Sequence, residues 1–320
     1  MLIPRFIIVM FLVCMATLGA GGVFGQNYPT KPIRILTSAA GGGNDLIARL
    51  LAQGVTGPLG QPVIVENRII TASIEAVAKA PPDGYALLLG ANTLWSLPFM
   101  QDNVPWDPVK DFSPITLATI TPNVLVVHPS LPVKSVKELI ALAKAKPGAL
   151  NYSVGASGTA QHFAGELFKS MAGVKIVTIN YKGGGPATNA LIAGEVQVAF
   201  VSAASAAPFV KSGRLRALAV TSAQPTMLAP GLPTVAASGL PGYESVTLAG
   251  IFAPAKTPTA IINRLNQEFV RVLNGADFKE KLLNSGVEAA GNSPEQFAAT
   301  IKADMTTVGK LIKDAGIRAE

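Results

Sequence analysis

The sequence predicts an α/β protein of two units, and two observations support this fold class. Short runs of aliphatic and β-branched residues alternate with helical patterns, which is typical of βαβ units with parallel strands. The composition is 49% hydrophobic and only 14% charged, which excludes a disordered chain and a coiled coil. The length of 320 residues favours two domains of about 150 residues.

The N-terminal part of the pattern supplies the first βαβ cycle. Strands are predicted at 33–37, 63–65 and 85–89. A helix is predicted over 45–55, because Leu46, Leu50 and Leu51 recur at the spacing of one helical face.

A second cycle starts at the apolar run 124–127. Ser135, with Glu138 three residues later, predicts a capping box at the start of a helix that ends at Pro147-Gly148. The later predicted elements are a strand at 151–154, a helix through Phe163, Leu167 and Met171, a strand at 176–181, a helix at 187–193, and strands at 196–201 and 215–220.

The C-terminal part is mainly helical. Thr257-Pro258 opens one helix with an apolar face and Ser293-Pro294 caps another, and such helices need a sheet to cover. Composition shifts at Thr121-Pro122 and within 223–233 indicate that the chain passes twice between two lobes. The predicted division is lobe I from 26–121 with 225–320, and lobe II from 122–224.

The first 25 residues have the pattern of a secretory signal peptide. Arg5 is followed by an apolar run and then by small residues before Gln26, so we expect cleavage near Gly25. An uncleaved membrane anchor is the alternative, since 6–25 is just long enough to span a bilayer. The single cysteine, Cys14, lies within this segment, so the mature chain would have no thiol for a disulfide, a zinc site or a nucleophile. Export without disulfides suits a bacterial periplasm.

The charge pattern argues against nucleic acid as a partner. The formal net charge is +7, but the Lys and Arg residues are scattered and aromatic residues make up only 6%. A mild basic excess is compatible with small anionic ligands or with an ordinary solvated surface.

Three small-residue loops each follow a predicted strand and open a helix. They span 38–45, 155–162 and 182–188. Glycine lets a ligand approach the backbone closely, and first-turn N–H groups together with the helix dipole favour an anion there. Three such helix ends could hold a carboxylate without an arginine.

Enzyme motifs are absent or incomplete at these loops. No dinucleotide or nucleoside-triphosphate glycine pattern occurs, so we expect no cofactor. The run from Gly155 to Thr159 is similar to a nucleophile elbow around Ser157, but it has Thr in place of the last Gly. His162 lies only five residues after Ser157, which is an unusual place for a catalytic base. We expect no enzyme and no metal site, with an exported serine hydrolase as the alternative.

Several longer motifs resemble one known family. They are Tyr28-Pro29-x-Lys31-Pro32-Ile33-Arg34, Gly41-Gly42-Gly43-x-Asp45, Leu59-Gly60-Gln61-Pro62-Val63-x-Val65-Glu66-Asn67-Arg68, Pro82-Asp83-Gly84-Tyr85, Asp107-Pro108-Val109-Lys110-Asp111-Phe112, Tyr181-Lys182-Gly183-Gly184 and Leu215-Arg216-Ala217-Leu218-Ala219-Val220-Thr221. On these residues the mature chain resembles the Bug family, the periplasmic solute receptors of tripartite tricarboxylate transporters.

The resemblance implies a fold, a ligand class and partners. The fold is the two-lobed periplasmic binding protein fold (Venus flytrap, type II), in which each lobe is a mostly parallel sheet flanked by helices. The protein would close on a small organic carboxylate between its lobes and deliver it to integral membrane transporter subunits. We expect a monomer.

The resemblance also implies which residues bind the ligand. They are Ser38, Gly42, Asn44 and Asp45 in the first loop, Ser157, Thr159 and His162 in the second, Lys182, Gly183 and Gly184 in the third, and Ser202. The sequence departs from the family in three places. Val201-Ser202 stands where Asp-Asn is common, which removes a carboxylate from the cleft wall and leaves a more apolar pocket. Ala39-Ala40 replaces the usual prolines, and 69–73 replaces a glycine-rich segment. The ligand could therefore be a dicarboxylate, a tricarboxylate, an aromatic acid or a nicotinate-like acid.

Overall fold

The computed structural model describes residues 28–155 and 158–317. The predicted signal peptide lies outside these residues. Within them, the strands are β1 Ile33–Thr37, β2 Val63–Asn67, β3 Ala86–Ala91, β4 Phe112–Val127, β5 Asn151–Val154, β6 Val177–Asn180, β7 Val198–Ser202, β8 Arg216–Val220, β9 Val246–Pro254 and β10 Glu288–Ala289. The helices are α1 Gly43–Leu59, α2 Ile70–Ala78, α3 Thr93–Met100, α4 Val136–Ala145, α5 Ala160–Ala172, α6 Gly184–Ala193, α7 Ala203–Lys211, α8 Thr259–Leu273, α9 Ala276–Asn284 and α10 Pro294–Ala315.

The predicted α/β class is confirmed, and the strand pairing is mixed. The strand order is β2-β1-β3-β9-β4-β7-β5-β6, with β8 and β10 also paired to β4. β1 is parallel to β2 and β3, and β5 is parallel to β6 and β7, as the βαβ pattern predicts. The antiparallel contacts all involve β4 or β9, which lie between these two parallel groups.

Strand β4 runs through both halves of the sheet. Its pairing with β9 continues to Pro122, opposite Val246, and its pairing with β7 begins at the next residue, Asn123, opposite Ser202. The sequence predicts a strand only at 124–127. The longer β4 also contains Pro114 and Pro122, a residue type that is uncommon in central strands.

Beside this point the chain returns from the second half of the sheet to the first. The Thr221 N–H donates to Asn123 O at 2.9 Å, and the Asn123 N–H donates to Thr221 Oγ1 at 2.8 Å. Residues 222–245 contain no assigned strand or helix, and the buried side chains of Val235, Leu240 and Tyr243 pack with β5 and α5. The chain joins the first half of the sheet again at β9.

Each half has its own apolar core. The core around β1, α1 and α8 contains the fully buried Ile33, Leu51 and Phe269. The core around β5, α4 and α5 contains Leu139, Tyr152 and Phe168. A smaller cluster joins the two halves, in which Val308, Leu311 and Ile312 of α10 pack against Phe163 of α5 and Met100 of α3.

The predicted helix starts are confirmed. Ser135 Oγ accepts the Glu138 N–H at 3.2 Å, and the Glu138 carboxylate accepts the N–H of Lys134, one residue earlier than in a complete capping box. Ser293 and Gln296 form the complete reciprocal box at the start of α10. Among the described residues, no helix has the length and apolar character of a membrane span.

Candidate functional site

A cavity of about 340 Å³ lies where β5 and β7 end and where α5, α6 and α7 begin. Its lining residues are Ser153, Gly155, Thr159, Gln161, Gly183, Gly184, Ala187, Thr188, Phe200, Val201, Ser202 and Ser205. The carboxyl ends of parallel strands meet at one edge of a sheet, which is where open α/β folds bind ligands. None of the described residues in this lining carries a charged side chain.

Three helix N-termini converge on this cavity. Thr159 is the N-cap residue of α5, Gly183 of α6 and Ser202 of α7. The first N–H groups of a helix lack intrahelical acceptors, and the helix dipole adds partial positive charge there. Uncharged N–H donors at three helix ends are therefore available to an anion in this cavity.

Two of the predicted glycine-rich loops touch each other at the cavity wall. The Gly183 N–H donates to Gly155 O at 2.8 Å. Gly183 has φ +115°, which is strained for any residue with a side chain, and the sequence supplies glycine there. The structure thus brings the second and third of the three glycine loops together.

The third helix end in the cavity belongs to α7 and not to the first glycine loop. Ser202 Oγ accepts the Ser205 N–H at 3.3 Å and lies 2.8 Å from Ser205 Oγ. Phe200 and Val201, from β7, add an apolar surface beside these hydroxyls. The sequence implied Ser202 only through the family resemblance.

The first loop, 38–45, does not line this cavity. Its acidic residue, Asp45, is buried and engaged by the protein. One carboxylate oxygen accepts the Gly41 N–H at 2.8 Å, and the other accepts Asn67 Nδ2 at 2.8 Å and contacts Arg49 Nε at 2.9 Å. The Gly41 hydrogen bond, then that of Asn67, hold the pKa of Asp45 below its usual value.

The remaining predicted residues of this loop lie around Asp45. Ser38 is half-buried and its carbonyl accepts Asn67 Nδ2 at 2.8 Å. Gly42 is the exposed N-cap residue of α1, and Asn44 is half-buried in the first turn. Asn67 therefore ties the end of β2 to the first loop.

His162 is buried behind the second loop and is not part of the cavity lining. Its Nδ1 accepts the Gly158 N–H at 3.0 Å, and its Nε2 lies 3.6 Å from Glu166 Oε1. This arrangement places the proton of the neutral ring on Nε2. His162 thus connects the loop to a buried carboxylate.

Glu166 is the centre of that buried cluster. Its Oε1 accepts hydrogen bonds from the Tyr152 hydroxyl at 2.8 Å, Lys169 Nζ at 2.7 Å and Thr178 Oγ1 at 2.9 Å. Burial raises the pKa of this carboxyl group, but His162, Lys169 and Tyr152 outweigh burial and lower it to about 2. Glu166 is therefore ionised at neutral pH.

Two other predicted residues stand apart. Lys182 is exposed and does not line the cavity. Ser157 lies outside the described residues.

Ser153, in β5, is a lining residue that the sequence did not point to. Gly155, Gln161 and Thr188 lie within the predicted loops 155–162 and 182–188 but were not among the expected ligand-binding residues. A polar residue just before a predicted strand-to-helix loop was the available indication for Ser153.

A larger cavity, of about 660 Å³, lies between α3, α10 and the start of β4. Its lining is mostly apolar and includes Phe99, Phe112 and Ile301, with Lys302 and Lys310 as its charged members among the described residues. It is not located at the carboxyl ends of parallel strands, and the helix ends described above do not reach it.

Fold and site together define a class of protein. An α/β fold with a mixed sheet flanked by helices is shared with solved periplasmic binding proteins, among them BugD, which is 31% identical with a TM-score of 0.70 over 92% of this chain and 100% of that one. The sequence also matches the family model described as the tripartite tricarboxylate transporter family receptor, over residues 47–317. The chain belongs to this family.

Individual relatives agree with this assignment. BugT of Bordetella pertussis is 31% identical over 314 residues, which cover 95% of each chain. The solved structure of R. palustris Rpa4515 with adipate is 33% identical, with a TM-score of 0.74 over 92% of this chain and 100% of that one. A ligand-free TctC solute-binding protein from Polaromonas is 27% identical, with a TM-score of 0.82 over 90% of this chain and 100% of that one. Family and fold are those of substrate-binding receptors.

Proposed function

We propose that this protein captures a small organic carboxylate in the 340 Å³ cavity and delivers it to the membrane subunits of a tripartite tricarboxylate-type transporter. The observation that carries the proposal is the convergence of α5, α6 and α7 on a cavity whose described lining has no charged side chain. Neutral donors and helix dipoles can hold an anion there. The adipate bound to the R. palustris relative supports a carboxylate.

The chemistry of the lining also favours an uncharged remainder of the ligand. Phe200, Val201 and Ala187 present apolar surface, and no described lining residue carries a carboxylate that could pair with an amino group. An aliphatic or aromatic acid therefore fits this cavity better than an amino acid.

The sequence predicts lobes of 26–121 with 225–320, and of 122–224; we keep the first of these boundaries and place the second one later in the chain. The change of partner along β4 between Pro122 and Asn123 supports the first boundary. The packing of Val235, Leu240 and Tyr243 with β5 and α5 favours a second boundary close to Val246. Closure of the lobes would bring the first loop, with Ser38, Gly42, Asn44 and Asp45, towards the ligand, and the exposed Lys182 would lie at the rim of the closed site.

A receptor role is better supported than the alternative of a serine hydrolase. The candidate base, His162, uses Nδ1 to accept the Gly158 N–H and directs Nε2 towards Glu166. Nδ1 is therefore occupied by a backbone N–H and Nε2 lies beside a buried carboxylate, so the ring is oriented within the protein and not towards the cavity. We propose a monomeric receptor without cofactor or catalytic activity, exported to the periplasm by cleavage of residues 1–25.

A thermal-shift screen of the mature protein tests this function. The panel contains adipate, succinate, malate, citrate and benzoate, each with its neutral amide as the matched control. A ligand that binds only the folded state raises the unfolding temperature, so at least one acid should do so while its amide does not. Equal shifts by acid and amide, or no shift at 10 mM of any acid, would contradict the proposal.

A further inference from the structure

Ser153 is a buried serine in the wall of the proposed ligand cavity. It lies in β5, is 3% exposed and lines the 340 Å³ cavity. Its hydroxyl oxygen has no hydrogen-bond partner among the described residues. Since buried polar groups are nearly always hydrogen-bonded, this exception calls for a partner from outside the chain.

The strand geometry gives the direction of this side chain. Tyr152 and Val154 pack in the core with Phe168, on one face of β5. Side chains alternate along a strand, so Ser153 lies on the opposite face, where α6 packs against β5. Ser153 therefore faces the helix whose first turn contains Gly184.

A second hydroxyl in the same lining provides the contrast. Thr188 Oγ1 donates to Gly184 O at 2.9 Å within α6, so the protein already supplies its acceptor. The Ser153 O–H has no acceptor among the described residues, so it can donate a hydrogen bond to a ligand. The neighbouring N-terminus of α6 is the part of the cavity that favours an anion.

We propose that Ser153 is a ligand-binding residue whose hydroxyl donates a hydrogen bond to a carboxylate oxygen seated at the N-terminus of α6. This inference rests on the proposed function and specifies which part of the cavity holds the acid. A neutral hydroxyl that donates to a charged acceptor stabilises the complex, whereas in the ligand-free protein the Ser153 hydroxyl is buried without a hydrogen-bond partner among the described residues.

The inference predicts opposite effects on binding and on stability. Ser153→Ala should weaken carboxylate binding about ten- to hundredfold. The same variant should leave the unfolding temperature of the ligand-free protein unchanged or raised, because no intramolecular hydrogen bond is lost. A serine with a merely structural role would lower that temperature.

Calorimetry measures the affinity, with adipate as the probe unless another acid of the panel gives a larger shift with wild type. Ser153→Cys keeps the size but donates weakly, so its affinity should lie between wild type and Ser153→Ala. Thr257→Val is the matched control, because it removes a buried hydroxyl that donates to Pro254 O at 2.7 Å far from the cavity. It should lower stability and keep wild-type affinity.

The inference is wrong if Ser153→Ala binds the probe as tightly as wild type, or if it loses stability as Thr257→Val does. Failure of the proposed function would look different. In that case wild type itself would show no preference for acids over their amides.

Discussion

The backbones of Gly155 and Gly184 are in direct contact at the wall of the cavity. A Cβ atom on Gly155 would lie 2.6 Å from Gly184 N, closer than any real Cβ contact. The absence of a side chain at Gly155 thus lets the end of β5 touch the first turn of α6. This contact positions two of the three helix ends on which the proposed carboxylate site depends.

Gly155→Ala should therefore damage the site. The added methyl group meets backbone atoms, which cannot rotate away as a side chain can, so the 183–184 loop must move. We expect a loss of stability of about 1–3 kcal/mol and at least a tenfold loss of carboxylate affinity, measured by urea unfolding and calorimetry.

Gly57→Ala is the control for this substitution. Apart from its chain neighbours, a Cβ there has nothing within 4 Å; the helix propensity of alanine is offset because the following Pro58 disfavours helical backbone, so stability should change by less than about 1 kcal/mol with unchanged affinity. Wild-type affinity in Gly155→Ala would show that the contact between the two loops is dispensable.

Glu166 should contribute stability that depends on pH. Its pKa of about 2 in the folded protein lies below the usual 4.5, so the contribution is complete above about pH 4.5 and is lost as the pH falls towards 2. The lowered pKa of Glu166 stabilises the folded protein by about 3 kcal/mol near neutral pH. By pH 3 this contribution to the free energy of unfolding falls to less than half.

Urea unfolding of Glu166→Gln against wild type at pH 7 and pH 3 checks this prediction. The exposed Glu75, which pairs with Lys79 one helical turn away, provides the control Glu75→Gln, with an expected effect below about 0.5 kcal/mol. A difference between wild type and Glu166→Gln that is the same at both pH values would contradict the role assigned to the carboxylate.

Thr221 should stabilise the point where the chain passes twice between the two halves of the sheet. Its hydroxyl accepts the buried Asn123 N–H and lies 3.1 Å from Asn123 O. Thr221→Val leaves that N–H without an acceptor, which should lower the free energy of unfolding by about 1–3 kcal/mol. Thr306→Val, on the exposed face of α10, should change it by less than about 0.5 kcal/mol. Equal effects of the two variants would contradict this prediction.

Asp45 and Asn67 should act as one unit in holding the first loop. They share a 2.8 Å hydrogen bond, and each also binds the loop backbone, Asp45 at Gly41 N and Asn67 at Ser38 O. A double-mutant cycle with Asp45→Ala and Asn67→Ala, measured by urea unfolding without ligand, should give a coupling of about 0.5–3 kcal/mol. Strict additivity would mean that Asp45 does not position the loop through Asn67.

Local patterns in the sequence were sufficient for much of the fold. The parallel strands β1–β3 and β5–β7 and the capped starts of α4 and α10 follow from periodicity and capping residues. The sequence analysis placed no strand at β9 or β10 and only the end of β4. These antiparallel strands are defined by partners far away in the chain, such as Val246 opposite Pro122.

The candidate site was predictable where it depends on local glycine loops. Glycine loops were predicted after β5 and β6, and these two loops meet because parallel neighbouring strands end at one edge of the sheet, whereas the predicted first loop does not line the cavity. Ser153 was not found, because its burial and lack of a partner depend on how α6 packs against β5. Likewise, the hydrogen bonding of Asp45 within the protein depends on Asn67, which lies at the end of another strand, β2.

A crystal structure of the protein bound to the best acid of the thermal-shift panel would show directly where the carboxylate binds. We expect it at the N-terminus of α6, with an oxygen about 2.7–3.1 Å from a first-turn N–H group and within reach of the Ser153 hydroxyl. A ligand in the apolar cavity beside Phe99 and Lys302, with the helix ends of α5, α6 and α7 free of it, would contradict the account.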